Sequence, residues 1–159
     1  MKSLIVCYSF HHNNTQKVAS AMAKVLDAQV KTPQQTNPEE LQQFDLVGFG
    51  SGIFGEKHHE NLLELADKLQ QVVDKKAFIF STSFVGVDSL LFGKVTGKFH
   101  TALREKLQSK GYTVVGEFNC KGLNTNRIYG RFGGMNKGRP NAEDLKHAEE
   151  FALKMTQST

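Results

Sequence analysis

The chain has 159 residues, two cysteines and a formal net charge of +4, and these features limit its class. The length suits one domain with its own apolar core, and two cysteines cannot build a disulfide framework. No apolar stretch approaches the ~20 residues of a membrane span, and the first apolar run is too short for a secretory signal. We therefore expect a single domain over residues 1–159, cytoplasmic and without membrane insertion.

Apolar runs alternate with segments of helical periodicity along the whole chain. The predicted strands are residues 4–8, 29–31, 44–50, 77–80 and 112–118. Apolar positions within 18–26, 62–72, 99–107 and 145–155 predict helices, and residues 39–43 predict a short helical turn after Pro38. The last helix is predicted to start at Asn141. This alternation indicates an α/β fold in which helices cover both faces of a parallel sheet.

The loops after the predicted strands are rich in glycine and small polar residues at one edge of the sheet. They begin at Ser9, Ser51, Ser81 and Asn119. In open α/β sheets, ligands bind beyond the carboxyl ends of the strands. The sequence therefore predicts a ligand site at this edge.

The first of these loops, residues 9–15, leads from a buried strand directly into a helix. Unpaired amides and the dipole at a helix N-terminus attract anions. Ser9, His11, His12, Asn14 and Thr15 add side-chain donors. The loop therefore favours phosphate binding, and the alternative is a loop that only caps the helix.

Three segments resemble those of flavodoxin-like FMN-binding proteins: residues 9–15, 48–55 and 80–84. Residues 133–145 resemble a motif of a short-chain branch of that family. The resemblance implies a flavodoxin-like three-layer sandwich, with a five-stranded parallel sheet in the order 2-1-3-4-5, and FMN as cofactor. The first loop is one residue longer than is usual, with His12 in place of threonine and Asn13 in place of glycine. Asparagine tolerates positive φ better than most residues, so Asn13 can partly replace glycine.

The resemblance also implies which residues hold FMN. They are Ser9, His11, His12, Asn13, Asn14 and Thr15 for the phosphate, then Ser51, Gly52, Ile53, Phe54, Gly55, Ser81, Thr82, Ser83 and Phe84 for the ribityl chain and ring. Phe54 is either a stacking residue or a core residue. Tyr129 is a weaker candidate for the aromatic wall, since the chain has no tryptophan.

Positive charge concentrates in one long loop near the predicted site. Residues 118–142 contain no Asp or Glu, and their cations are Lys121, Arg127, Arg131, Lys137 and Arg139. If these charges face the flavin, they stabilise its reduced anion and raise its potential above that of an acidic flavodoxin. That would favour two-electron chemistry on a quinone-like acceptor. The alternative is a loop whose charges are simply solvated.

Two histidine pairs, His11-His12 and His58-His59, fall at the same edge of the sheet. Adjacent histidines lack zinc-ligand spacing, so we expect no metal site. The first pair is expected to help bind an anion, and the second to cap a helix or contact a substrate. Cys7 and Cys120 lie on strands too far apart to form a disulfide.

The sequence therefore predicts an FMN-binding electron-transfer protein, acting either as a carrier or as a small reductase of a quinone-like acceptor. Its partner would be a redox protein or a small molecule, and no motif indicates nucleic-acid binding. No general acid or base stands out, so no catalytic residue is assigned and enzyme activity stays open. The alternative is a binding module of the same fold that has lost FMN.

Overall fold

The computed structural model describes residues 1–84, 97–125 and 133–157. The strands are β1 (Ser3–Tyr8), β2 (Gln29–Lys31), β3 (Leu46–Phe54), β4 (Lys57–His58), β5 (Lys75–Ser83) and β6 (Tyr112–Lys121). The helices are α1 (Asn14–Leu26), α2 (Glu60–Lys68), α3 (Thr101–Ser109) and α4 (Ala142–Gln157), with 3₁₀ segments at Pro33–Gln35 and Pro38–Gln43. None of the helices in this described part of the chain is long and apolar enough to span a membrane.

The sheet runs β2-β1-β3-β5-β6, and all the neighbours on this path are parallel. The predicted five-stranded parallel order is therefore confirmed. The two-residue strand β4 is an addition that pairs antiparallel with β3. A strand this short has no periodicity of its own, so the sequence pattern did not predict it.

The prediction that loops begin at Ser51, Ser81 and Asn119 is wrong, because these residues lie inside β3, β5 and β6. They are cross-strand neighbours: Ser51 pairs with Ser81, and Ser81 pairs with Asn119. The pattern ended each strand at its last apolar residue. Backbone pairing continues further because the polar side chains find hydrogen-bond partners on the faces of the sheet. A polar row therefore crosses the sheet near its carboxyl edge.

The core has two halves, one on each face of the sheet. Val6, Phe49 and Ile79 belong to the half that packs against α2 and α3. Ile5 and Phe78 belong to the half that packs against α1 and α4. Side chains on a strand alternate between faces, so neighbouring residues of one strand serve different helix pairs.

Two glycines of β3 make room for two aromatic rings of β5. Gly48 pairs with Phe78 and Gly50 with Phe80. A Cβ atom would lie 2.3 Å from the Phe78 ring at Gly48, and 2.2 Å from the Phe80 ring at Gly50. The rings thus lie over the glycine backbone and fill the α1/α4 half of the core.

The predicted helix boundary is confirmed at one helix and wrong at another. The predicted start of α4 is confirmed, because the Asn141 side chain accepts a hydrogen bond from the Asp144 amide at 2.9 Å. The prediction that the second helix extends to Val72 is wrong, since α2 ends at Lys68. Leu69 is still buried, and it follows the buried Leu65 at the spacing of one helical turn. The apolar pattern therefore predicted a longer helix than the structure has.

Candidate functional site

A cavity of about 360 Å³ opens at the carboxyl edge of the sheet. This volume lies within the ~300–1,000 Å³ typical of small-molecule sites. Its walls are the loop after β1, the ends of β3 and β5, and the segment after β6. It is lined by Ser9, Phe10, His11, His12, Asn14, Thr15, Gly52, Ile53, Phe54, Thr82, Ser83, Phe84, Gly122, Leu123, Asn124 and Thr125.

Most predicted cofactor residues line this cavity, and the exceptions are Asn13, Ser51, Gly55 and Ser81. The lining residues that sequence reasoning missed are Phe10, Gly122, Leu123, Asn124 and Thr125. An aromatic residue within an otherwise polar loop was the available signal for Phe10. The loop after the last strand was predicted to lie at the ligand edge, but no motif singled out its four lining residues. The ligand-binding role of all these residues stays a prediction.

The loop after β1 enters α1 in an unusual conformation. His12 has φ 58° and Asn13 has φ 52°, both left-handed, so the expected positive φ at Asn13 is confirmed. The Asn13 side chain does not cap α1, and the first turn of α1 holds no acidic residue. The helix N-terminus keeps its partial positive charge at the cavity.

Side chains of this loop and of the first turn of α1 bond to the segment after β6. His12 Nε2 lies 2.7 Å from Thr125 Oγ1, and Asn14 Nδ2 donates to the Leu123 carbonyl at 2.9 Å. The Asn14 Oδ1 atom is buried and has no hydrogen-bond partner among the described residues. An orphaned buried acceptor is uncommon, and it points to a donor that a ligand or water would supply.

A pair of buried hydroxyls joins α1 to β5 beneath the cavity. Thr15 Oγ1 and Thr82 Oγ1 are 2.8 Å apart, and either can donate. One hydroxyl hydrogen is used within the pair, so only one of the two remains available to a ligand. The sequence prediction that Thr15 donates to a phosphate is therefore restricted by this bond.

A hairpin forms the wall next to β3. Phe54 pairs with Lys57 across β3 and β4, and the turn residues Gly55 and Glu56 have φ of 55° and 63°. Two successive positive φ values are typical of a type I′ turn. The turn fixes the direction of Phe54, which lines the cavity and is 39% exposed. The alternative that Phe54 is a core residue is therefore wrong.

Three exposed phenylalanines surround the cavity. Phe10 is 65% exposed and Phe84 is 52% exposed, and Phe54 completes the group. Exposed aromatic side chains that cluster at one opening are typical of ligand or partner sites. We call these three residues the aromatic rim.

The glycine-rich motif at residues 133–145 supports the cavity wall. Asn124 and Met135 exchange backbone hydrogen bonds of 2.9 and 2.7 Å. Asn136 Nδ2 donates to the Phe84 carbonyl at 3.0 Å and to the Gly122 carbonyl at 3.3 Å. The motif therefore holds lining residues in place, although it does not itself line the cavity.

The two predicted serines that do not line the cavity turn towards α2 and α3. There they join what we call the inner polar layer: Ser51, His58, Ser81, His100, Arg104, Glu117 and Asn119. Ser81 Oγ lies 2.7 Å from His100 Nε2, and His100 Nδ1 lies 3.0 Å from Glu117 Oε2. Arg104 bonds to both Glu117 oxygens. Sequence reasoning missed His100 and Glu117, since single polar residues in apolar segments carry no motif.

Three ionisable groups of this layer have shifted pKa values, and one of them is Arg104, whose pKa is raised by its hydrogen bonds to Glu117. Burial raises the pKa of Glu117, but hydrogen bonds from Arg104 and His100 outweigh it and bring the pKa to about 2. Burial, and then the repulsion that His100 exerts when it is protonated, lower the pKa of His58 well below its usual value, although Glu117 opposes this. Glu117 is therefore ionised and His58 neutral near pH 7.

His59 caps α2, and helix capping was one of the two roles predicted for its histidine pair. Its Nδ1 accepts a hydrogen bond from the Asn61 amide at 3.2 Å. Its ring stacks on Tyr8 with centroids 4.0 Å apart and meets Phe54 edge-on at 5.1 Å. His59 thus supports the aromatic rim from behind. Over residues 1–84, 97–125 and 133–157, no group of three or more His, Cys, Asp or Glu could hold a metal.

The cysteines do not form a disulfide with each other, as their strand positions predicted. Both are buried, and burial raises the pKa of the Cys7 thiol to about 12. Cys7 therefore stays a thiol and packs as a small apolar side chain.

A family model for the flavodoxin domain matches residues 5–127. The chain belongs to the flavodoxin family. It is 44% identical over 152 residues to an uncharacterized protein of Methanocaldococcus jannaschii, with 96% of each chain covered. The likeness to this relative extends over nearly the whole length of both proteins.

Solved flavodoxin structures have the same fold. Oxidised flavodoxin 2 from Bacillus cereus superposes with a TM-score of 0.69 at 19% identity, with 100% of both chains covered. A flavodoxin from Fusobacterium nucleatum, bound to flavin mononucleotide, gives a TM-score of 0.67 at 13% identity and covers 99% of this chain and 98% of its own. At such identities the likeness shows a shared fold.

The predicted positive charges of the long loop differ in their surroundings. Arg139 pairs with Asp144 at 2.6 Å, so its charge is matched by α4. Lys137 and Lys57 are exposed. Within the described ranges, the ionisable side chains that line the cavity are His11 and His12. Three predicted loop residues lie outside the described residues: Arg127, Tyr129 and Arg131.

Proposed function

We propose that this chain binds FMN in the cavity and transfers electrons, as a carrier or as a small reductase of a quinone-like acceptor. The observation that carries this is the contrast within one cavity. One wall holds a polar loop and an uncapped helix N-terminus, and the other walls hold the aromatic rim. FMN has a matching contrast, with an anionic phosphate and a flat aromatic ring. The FMN-bound flavodoxin with the same fold supports this choice.

The phosphate would be held by the loop after β1. The first amides of α1, together with Ser9, His11 and His12, offer hydrogen-bond donors, and the helix dipole adds partial positive charge. Left-handed φ at His12 and Asn13 turns the chain sharply before α1. Turns of this kind can form concave anion sites from successive amides.

The ribityl chain of FMN would supply a hydrogen-bond donor to Asn14 Oδ1, the acceptor in the cavity wall that lacks a partner among the described residues. Asn14 Oδ1 requires a hydrogen-bond donor, and the ribityl hydroxyls of FMN are donors. The Thr15–Thr82 pair has one hydroxyl hydrogen to offer. Both observations favour a ligand with several hydroxyl groups next to its phosphate.

The ring would lie against the aromatic rim. Phe54 is fixed by its hairpin and by the edge contact with His59, and Asn136 holds the Phe84 carbonyl. When bound, FMN supplies reversible electron transfer. The phenylalanines orient the ring and keep water from the covered side, and the open rim leaves room for a redox protein or a small flat acceptor.

Titration of the FMN-free protein with FMN and with riboflavin tests the proposal. We expect quenching of flavin fluorescence on binding at one site per chain, with FMN bound more tightly than riboflavin, because riboflavin lacks the phosphate. Phe54→Ala should weaken FMN binding about fivefold, since an aromatic stacking contact contributes about 1 kcal/mol beyond burial. Val73→Ala, at an exposed position that does not line the cavity, is the matched control.

Three results would contradict the proposal or one of its parts. If FMN does not bind, the chain is a flavodoxin-fold module that has lost its cofactor. If FMN binds equally well to wild type and Phe54→Ala, the ring does not use this wall. A bound flavin that electrons cannot reduce reversibly would exclude the electron-transfer role.

A further inference from the structure

The inner polar layer extends from the cavity wall towards α3. Asn119 Nδ2 donates to Ser81 Oγ at 2.7 Å and to Ser83 Oγ at 3.1 Å, and Ser83 lines the cavity. Ser81 in turn lies 2.7 Å from His100 Nε2. A continuous path of hydrogen bonds therefore leads from the cavity to His100.

The bonds of His100 determine where its proton sits. Glu117 is an ionised acceptor, so His100 Nδ1 must carry a hydrogen and donate to it. In neutral His100, Nε2 is then a bare lone pair that accepts the Ser81 hydroxyl hydrogen. Ser81 accepts from Asn119 at the same time, so every bond of this path is satisfied when His100 is neutral.

His58 is less able than His100 to bind the second proton that makes an imidazole positively charged. The Ser51 hydroxyl donates to the Gly52 carbonyl at 2.7 Å, so His58 Nδ1 must donate to Ser51 Oγ at 2.9 Å. His58 Nε2 is buried without a hydrogen-bond partner in the described part of the chain. Protonation there would bury a charge with no adjacent carboxylate, which is strongly unfavourable.

His100 is better placed to carry a positive charge. The ionisable groups that face it from the described elements are His58 on β4, Glu117 on β6 and Arg104 on α3. The charges of Glu117 and Arg104 cancel. His58 is neutral, and its ring centroid lies 5.0 Å from that of His100. A proton on His100 would therefore make the layer positive by one charge, beside Glu117 and below the cavity.

We propose that His100 takes up a proton when electrons enter the cavity, so that the layer supplies an internal counter-charge to the reduced flavin. This inference rests on the proposed FMN function. The electrons come from a reduced redox partner or dye, and the proton comes from water and binds His100 Nε2. The Ser81 hydroxyl then changes from donor to acceptor, and no covalent bond to carbon is made or broken. His100 acts on the flavin through space and through Ser81, so it is a positioning residue.

The physical reason is the low polarity of the layer. A negative charge added at the cavity raises the proton affinity of nearby buried bases, because screening inside a protein is weaker than in water. The cavity itself has no acidic side chain within the described ranges. His11 and His12 also line the cavity, but they are exposed, so water screens them from the added charge. Among the buried imidazoles, electron uptake should therefore act on His100, which is connected to the wall.

The test measures proton uptake on reduction of the FMN-loaded full chain. Reduction with a dye of known potential, in weak buffer from about pH 5.5 to about pH 8.5, spans the titration range of an imidazole. We expect His100→Gln to take up fewer protons per flavin than wild type, and its midpoint potential to depend less on pH. His147→Gln removes an exposed histidine on α4 and should behave like wild type.

A second measurement needs no variant. Nitrogen-15 NMR of the imidazoles reports the tautomer and the proton affinity of each histidine. We expect His100 to carry its hydrogen on Nδ1 when the flavin is oxidised, and its proton affinity to rise about tenfold on reduction, which is one pH unit in its titration midpoint.

The outcomes separate the two proposals. Absence of FMN binding overturns the proposed function and this inference together. FMN binding with equal proton uptake in wild type and His100→Gln, or an unchanged NMR titration of His100 on reduction, overturns this inference and leaves the FMN function standing.

Discussion

On the α1/α4 face of β5, Thr82 meets Thr15 in one bond between neutral hydroxyls at the cavity. On the α2/α3 face of the same strand, the preceding residue Ser81 bonds to His100, which in turn bonds to the carboxylate of the Glu117–Arg104 ion pair. Two adjacent small hydroxyl residues thus enter different chemical settings. The helix that packs on each face makes the difference, because strand geometry sends successive side chains to opposite sides.

Hydroxyl residues at strand ends therefore cannot be assigned as ligand residues from their type alone. We call the α1/α4 side of β5, with Thr82, the neutral face, and its α2/α3 side, with Ser81, the ionisable face. The contribution of the neutral face to the free energy of unfolding should not depend on pH. The contribution of the ionisable face should depend on pH. Variants on each face can test this contrast.

The largest loss in the free energy of unfolding is expected from a substitution at the most tightly packed part of the neutral face. Gly50→Ala places a Cβ atom in the Phe80 ring, so the ring or the strand must shift. We expect a loss of about 3 kcal/mol in the free energy of unfolding, at the upper end of typical overpacking costs. Gly97→Ala, where no atom lies within 4 Å of the added Cβ, is the control in urea unfolding. An equal loss in both variants would contradict this.

A smaller, pH-dependent loss is expected on the ionisable face. The folded pKa of Glu117, about 2, lies below its ordinary value of 4.5, so ionised Glu117 stabilises the fold above about pH 4.5. This contribution is lost as the pH falls from 4.5 towards 2. Glu117→Gln should cost about 1–2 kcal/mol at pH 7, discounted for partial exposure, and almost nothing near pH 2.

Urea unfolding at a series of pH values measures this difference. Glu64→Gln, an exposed residue of α2, is the matched control and should differ little from wild type at any pH. A cost of Glu117→Gln that is constant from pH 7 to about pH 2 would show that charge is not the cause.

The smallest effect is expected from the hydroxyl pair. Thr82→Val leaves the Thr15 hydroxyl buried without its partner, at a cost of about 1 kcal/mol. Thr15→Val should cost a similar amount. The double variant should recover most of the loss, because neither hydroxyl is then left unsatisfied. Additive losses in the double variant would mean that the two side chains act independently.

The strand order and both halves of the core could be predicted because they depend on apolar periodicity and on the family likeness. The loop residues at 9–15 were also identifiable, since a strand, a polar loop and a helix follow one another there. These features are local in sequence, and local pattern is what a single sequence contains.

The inner polar layer could not be predicted because its members are distant in sequence. His100 meets Ser81, nineteen residues away, and Glu117, seventeen residues away. The wall at Leu123 and Thr125 depends likewise on contacts with Asn14 and His12. Such pairings follow from the packing of helices on the sheet, which no short motif encodes.

The left-handed backbone at His12 and Asn13 has a consequence for protein engineering. Left-handed conformations are unfavourable for residues other than glycine by roughly 1–2 kcal/mol each, and less for asparagine. The shape of residues 9–15 is therefore maintained by distant ties rather than by its own preference. Grafting this heptapeptide alone onto another α/β scaffold should not transfer ligand binding, whereas a graft that includes the segment after β6 has the contacts it needs.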